Sequence, residues 1–409
     1  MVILRNKKTA LLLLLVIASI AIIFLAVVTS LLTSFFQPMS DLPPGADEAD
    51  NTPRATTDKM SNKTAITTIM PTTIDIVSTP SAFPFVQRWI AQYENQQAGS
   101  LVDVNVDYLA DREIALTEDE RNGSDLAIVG IPNENRNALH IPVSAQAVAI
   151  VYNIPSFPDV PSGLRLNSTI LFLILNGSIT QWDDAVLKEL NPSLNLPDER
   201  IVVVHTGEDD SIDGSNSRIL LNRYLSLQSL SWPKNNSIIA SGPADLAETV
   251  RKTPYSIGYV DFSYAVQTRM TYAAIADADG DYVVPSMQSI GKAIDVALQF
   301  HNSSMGPTSP QQQLPPSPPT INASRIVSDA YPIVGLYYVS LFVNDDDKEE
   351  SERRRMISAM LDFVKWIVTE SGGQQTLLEV QYPPIYSGNE QLVAYANTAM
   401  DTVQNSITN

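Results

Sequence analysis

Two runs of strand-forming residues constrain this chain more than any other feature. IPVSAQAVAIVYNIP (Ile141–Pro155) is mostly apolar and rich in β-branched residues, over a length beyond that of an ordinary strand. A strand that long can leave one sheet and enter another. YPIVGLYYVSLF (Tyr331–Phe342) is a second such run, far along the chain. Around them, short β-branched segments alternate with helix-periodic ones, the pattern of an α/β protein with mostly parallel sheets. Two crossing strands far apart in sequence predict two lobes that the chain joins twice.

The shorter elements read as follows. TIDIVS (Thr73–Ser78), LVDVNVDYL (Leu101–Leu109), SDLAIVGIP (Ser124–Pro132) and RIVVVHT (Arg200–Thr206) are strands, the last of the buried parallel type. FPFVQRWIAQYENQQ places Phe85, Trp89, Ile90 and Tyr93 on one helical face. LRLNSTILFLILNGSITQWDDAVLKELNP is a helix, a turn containing Gly177 and a second short helix. SRILLNRYLSLQSL is a helix that clusters Leu220, Leu221, Tyr224 and Leu225 on one side. SIGYVDFSYAVQ is a strand and a helix start, and the main C-terminal helix breaks at Gly372 and Gly373. The Pro/Gln-rich stretch over 303–320 is an exposed loop without regular structure.

At the N-terminus, residues 10–32 read ALLLLLVIASIAIIFLAVVTSLL without a charge. A helix of that length spans a hydrocarbon core of roughly 30 Å. Arg5, Lys7 and Lys8 precede it, which keeps residues 1–9 cytoplasmic. The expectation is a transmembrane signal anchor, hence a single-pass type II membrane protein with its bulk extracellular or lumenal. The alternative is a cleaved signal peptide and a secreted product, although such apolar regions usually run about 7–15 residues. Residues 33–71, rich in Pro, Thr, Asp and Ser, read as a disordered stalk. The lobes then fall at 72–147 with 331–409, and at 148–330. Asn62, Asn122, Asn167, Asn176, Asn235, Asn302 and Asn322 each open an Asn-x-Ser/Thr sequon and all lie beyond the apolar run. They are the candidate glycosylation sites of a glycoprotein, although several sequons arise by chance in a chain this rich in Asn, Ser and Thr.

Composition narrows the chemistry. A formal net charge of −19 argues against nucleic acid, whose phosphates need a basic footprint. The absence of Cys removes disulfides, thiolate metal sites and Cys nucleophiles together. His140, His205 and His301 share no metal-ligand spacing and read as structural or surface residues. Asp345–Asp347 and Glu349–Glu350 read as a solvated loop, lacking the interleaved Gly of a calcium loop. Trp89, Trp182, Trp232 and Trp366 sit in apolar patterns expected in the core. With no nucleophile elbow, Walker loop or dinucleotide fingerprint, neither an enzyme nor a cofactor is expected.

Seven segments, in order, carry a resemblance: AFPFVQRWIAQY, IPVSAQAVAIVYNIP, LNGSITQWDDAVLKELNPSLNLPDERIVVVH, DGSNS, TPYSIGYVDFSYAVQ, AYPIVGLYYV and VKWIVTESGGQQTLLEVQYPPI. They cover most of Thr72 to Ile385 and resemble the phosphate-binding proteins of bacterial ABC importers, the PstS-like branch of the type II periplasmic-binding-protein fold. The resemblance implies two α/β lobes joined by two crossing strands, with a small oxyanion or other polar solute held between them. It implies binding without catalysis. In a eukaryotic setting it implies no ABC permease and no particular protein partner.

The same resemblance implies where the ligand sits and what this chain has lost. The family's Thr-Phe-Pro turn is Ala82-Phe83-Pro84 here, leaving the Phe83 N–H as the donor. No Gly-Ser-Ser-Gly run is present, and Gly130 stands where the family's strand ends in Asp. His205 is followed by Thr206 and an acidic stretch, with no Arg at the family's place, before Asp213, Gly214, Ser215, Asn216 and Ser217 open a helix. A helix start with free N–H groups attracts oxyanions, and Gly214 permits close backbone approach. The same five residues also make an ordinary turn and N-cap. Losing the Arg, Ser and Asp together would weaken phosphate binding by roughly three to six orders of magnitude if nothing replaced them. Glu208, Asp209 and Asp210 would add repulsion, and Arg218, Arg112 and Arg136 are the available substitute cations. The eroded site leaves an alternative, a ligand-free scaffold for protein–protein contact.

Overall fold

The computed structural model describes residues 72–96, 102–109, 124–130, 138–155, 163–206, 216–226, 232–233, 235–304, 321, 325–327, 329–342 and 349–408. The expected anchor, stalk and Pro/Gln-rich loop lie outside or mostly outside them. Among the described residues, no helix is long and apolar enough to cross a membrane.

β1 (Thr72–Ser78) passes through a 3-10 turn at Pro80–Ala82 into α1 (Phe83–Gln96), then β2 (Val102–Tyr108), β3 (Leu126–Val129) and the long β4 (Ala138–Asn153). β5 (Arg165–Leu166), α2 (Ser168–Leu175) and α3 (Ala185–Leu190) precede β6 (Val202–His205), α4 (Asn216–Tyr224), β7 (Ser237–Ile239) and α5 (Pro243–Lys252). β8 (Ser256–Asp261), α6 (Phe262–Gln267), β9 (Ala274–Ala276), β10 (Tyr282–Val283) and α7 (Met287–Ser304) follow. β11 (Val334–Phe342), α8 (Glu350–Val368), α9 (Gln375–Glu379) and α10 (Glu390–Thr408) close the chain. A mixed sheet runs β2-β1-β3-β11-β4-β8-β6-β7, and a small one β10-β9-β5.

β4 holds the large sheet together. From Ala138 to Ala147 it pairs antiparallel with β11, and from Val148 to Asn153 it pairs with β8. One strand thus belongs to both halves of the sheet, and its partner changes between Ala147 and Val148. Apart from its first and last residues, β4 is buried throughout, which explains its unbroken apolar pattern. β11 does not itself pass into the second half, contrary to the reading of the whole run as a crossing strand. Its pairing stays with β3 and β4, and the return is made by Tyr331–Ile333, through Tyr331 N–H to the Ser289 carbonyl and Val148 N–H to the Ile333 carbonyl.

The C-terminal helices clamp β4 from one side. Gln374 Nε2 donates to the Val143 and Ile367 carbonyls while its Oε1 accepts from Ile385 N–H. Ser144 Oγ donates to the Pro383 carbonyl, and Tyr386 Oη to that of Pro142. The chain breaks after α8 because Gly373 approaches it closely: a Cβ there would sit 2.5 Å from Ile367 Cα. The buried Gly373 carbonyl accepts from Trp89 Nε1 at 2.8 Å and from Thr376 Oγ1 at 2.7 Å.

Two readings need correction. The helix after DGSNS ends at Tyr224, earlier than its leucine pattern implies, and Ser226 turns into the left-handed region with φ 56°. Glu350 is no loop residue: it opens α8, pairs with Arg354 one turn on, and complements the positive helix end. α10 carried no reading from sequence.

Candidate functional site

The expected site divides between described and undescribed residues. Asp213, Gly214 and Ser215 lie outside the described residues, as do Arg112, Arg136 and the acidic Glu208–Asp210. Phe83, Asn216, Ser217, Arg218 and Gly130 are described.

Phe83 does not keep its N–H for a ligand. The 3-10 turn that begins at Pro80 spends it on the Pro80 carbonyl, so the backbone donor expected there is engaged. Its ring is 51% exposed and tilts against Tyr108, centroids 5.1 Å apart, where β2 ends. Hydroxyls nevertheless persist beside it. Thr79 Oγ1 and Ser81 Oγ stand 3.2 Å apart at the end of β1, and Tyr382 Oη donates to the Ser81 carbonyl.

Asn216 and Ser217 open α4 and are both buried, at 0% and 5% exposure. Among the described residues no hydrogen bond engages the Ser217 hydroxyl. The first-turn N–H groups of a helix lack intrahelical acceptors, and the Ser217 hydroxyl lies among them at this end. Asn216 points at the end of β3: a Cβ on Gly130 would fall 1.4 Å from Asn216 Nδ2. The structure thus brings together two positions that sequence reading treated separately. Gly130 carries no side chain, and the Asn216 carboxamide uses the room.

Leu220, one turn further on the same helix face, makes a parallel contact. A Cβ on Gly335, at the start of β11, would lie 2.7 Å from Leu220 Cδ2. Two glycines in adjacent strands therefore let α4 lie against the sheet.

Behind α4, His205 ends β6 and stacks on Trp232, centroids 4.4 Å apart and planes 7° apart. Trp232 stacks in turn on Tyr259, whose hydroxyl pairs with Thr206 Oγ1 at 2.9 Å. Burial, aided by the nearby Arg218 charge, pushes the His205 imidazole down to about 4. A neutral ring suits the aromatic stack. Arg218 is half-buried, and its field reaches His205, which places a cation beside α4's first turn. Sequence reading had no signal for the stack, because its three rings come from separate elements.

Asp261 caps α6, accepting from Ser263 N–H at 2.9 Å and from Tyr337 Oη at 3.4 Å. Desolvation raises its carboxyl to about 6 against those hydrogen bonds. Among the described residues no group of His, Asp and Glu is arranged to hold a metal. Asn167 and Asn176 are half-buried and use their Oδ1 atoms as acceptors for Ile170 and Ser178 N–H, while Asn235 is exposed.

Comparison with known proteins places this architecture. The model of the PBP superfamily domain matches residues 49–371, and the chain belongs to that family. Within it the chain is PstS-like. It is 27% identical over 331 residues to the phosphate-binding protein PstS of Methanocaldococcus jannaschii, covering 73% of this chain and 80% of that protein. It is 26% identical over 321 residues to PstS of Xylella fastidiosa, covering 74% and 79%. The fold matches a high affinity periplasmic phosphate-binding protein solved with phosphate bound, at TM-score 0.51 and 13% identity, over 80% of this chain and 93% of that one. It also matches the phosphate-binding protein from Stenotrophomonas maltophilia, at TM-score 0.50 and 14% identity, over 81% and 93%.

Proposed function

We propose that this chain is a solute-binding module that takes a small oxyanion, phosphate included, at the start of α4, and that residues 10–32 hold it at a membrane with its bulk outside the cytoplasm. The observation that carries the reading is the buried Ser217 hydroxyl at the start of α4, which no hydrogen bond engages among the described residues, at the helix end whose dipole favours an anion. The phosphate-binding names of the relatives support the same ligand class. The binding is weaker than a fully furnished phosphate site would give. The Phe83 N–H is spent, Gly130 offers no side chain, and each lost charge-assisted hydrogen bond costs roughly 1.5–3 kcal/mol. Arg218 supplies part of the missing positive charge. Nothing in the reading calls for a chemical step.

One observation favours the second reading, a ligand-free scaffold for protein contact. The Asn216 side chain is fully buried against Gly130 and fills space that a ligand would otherwise share. Calorimetric titration with phosphate separates the two. Saturable binding supports the module, and no heat at millimolar phosphate supports the scaffold. The membrane claim is tested by alkaline extraction of expressed full-length chain. Retention in the pellet, lost on deleting residues 10–32, is expected; release of the intact chain would refute the anchor. A mobility shift on enzymatic removal of N-glycans would place the bulk in the secretory route.

A further inference from the structure

Gln146 lies on β4 one residue before the last β11 pair, at the junction of the two halves of the sheet. It is 1% exposed, and among the described residues neither its Nε2 nor its Oε1 has a hydrogen-bond partner. An unsatisfied buried carboxamide is costly, so native chains keep one where another polar group completes it.

Its direction follows from the register. Gln146 stands opposite Gly335 in the β4–β11 pair, and opposed residues project to the same face. The Gly335 face is the one covered by α4, since Leu220 rests on it. Asn216, four residues before Leu220, lies on that same helix side. Gln146 therefore projects toward the underside of the helix whose first turn holds Asn216 and Ser217. Val148 and Asp261, the first β4–β8 pair, and Tyr337 continue this face toward the second half of the sheet.

We propose that Gln146 is a ligand-contacting, specificity-determining residue, and that its carboxamide reads a ligand bearing an acceptor oxygen and an O–H on one centre. This rests on the oxyanion reading above and sharpens it. Nε2 donates to an ionised oxygen while Oε1 accepts from a protonated one, so hydrogen phosphate satisfies both atoms and sulfate satisfies one. An apolar residue of similar volume satisfies neither, and a carboxylate at this place would accept only.

The test uses the full-length protein, wild type and Gln146→Leu, titrated with inorganic phosphate and with sulfate near pH 7. Thermal melts of both are recorded without added anion. The expected result is wild-type preference for phosphate, a phosphate affinity at least tenfold weaker in Gln146→Leu, and a phosphate-to-sulfate ratio that collapses toward one. Without anion the Leu variant should melt about 2–8 °C higher, because an unsatisfied buried amide has been removed. Wild-type phosphate binding that survives Gln146→Leu unchanged overturns the role of Gln146 and leaves the oxyanion reading standing. Wild type that binds neither anion overturns both. A Leu variant that melts lower shows that the amide is satisfied within the protein, and also overturns the proposal.

Discussion

Asn216 and Gly130 exclude each other's alternatives. A Cβ on Gly130 would fall 1.4 Å from Asn216 Nδ2, so the carboxamide at the start of α4 and a side chain at the end of β3 cannot occupy the same space. The two positions form one unit although they are far apart in sequence.

The first prediction is a double-mutant cycle on that unit. Gly130→Ala alone forces Asn216 out of place and costs about 1–3 kcal/mol, the usual penalty of overpacking. In an Asn216→Gly background the same change costs less by at least 1 kcal/mol. Urea denaturation of the four proteins measures the coupling. Additive effects would show that the contact does not persist in solution.

The two buried glutamines near β4 should respond in opposite ways. Gln374 is 1% exposed and makes three hydrogen bonds that tie the C-terminal helices to Val143, Ile367 and Ile385. Gln374→Leu strands those backbone groups and should cost about 2–5 kcal/mol. Gln146→Leu strands none. A chemical-denaturation comparison in which both variants lose stability equally would contradict the hydrogen-bond assignment.

Acid stability follows from two groups shifted in opposite senses. His205 falls from 6.5 to about 4 in the folded protein, so it contributes stability above pH 6.5 that is lost as pH drops toward 4. Asp261 rises from 3.8 to about 6, so its contribution is full below pH 4 and lost as pH rises through 6. Between pH 4 and 6 the two oppose each other. His205→Phe keeps the ring stack and should make the protein gain stability on acidification relative to wild type. Asp261→Asn should make it lose stability, with a slope of up to about 1.4 kcal/mol per pH unit. Denaturation at pH 4, 5, 6 and 7 checks the signs; identical pH profiles for the three proteins would refute them.

The Trp89 contact gives a fourth prediction. Its indole N–H serves the Gly373 carbonyl where the chain breaks after α8. Trp89→Phe fills much of the same space without the donor and should cost about 1–3 kcal/mol. A thermal melt reads it, and an unchanged midpoint would show that the Thr376 Oγ1 bond alone satisfies the carbonyl.

Periodicity made much of the architecture legible. β4 announced itself by an uninterrupted apolar run because both of its faces are covered, and α1 by Phe85, Trp89, Ile90 and Tyr93 on one face, all buried. What sequence hid was contact across separate elements. Nothing local links Gly130 to Asn216, or His205 to Trp232 and Tyr259. The Phe83 N–H seemed available because a short 3-10 turn leaves little trace in sequence. Gln146 passed as one residue of a strand, since its lack of a partner exists only once the strand is packed.

The central claim is that the start of α4 still binds an oxyanion. Calorimetric titration of the full-length protein with phosphate, at low and physiological salt, tests it most directly. The account predicts saturable binding that weakens with salt and falls at least tenfold in Ser217→Ala. No heat at millimolar phosphate, or binding indifferent to Ser217→Ala, would contradict it.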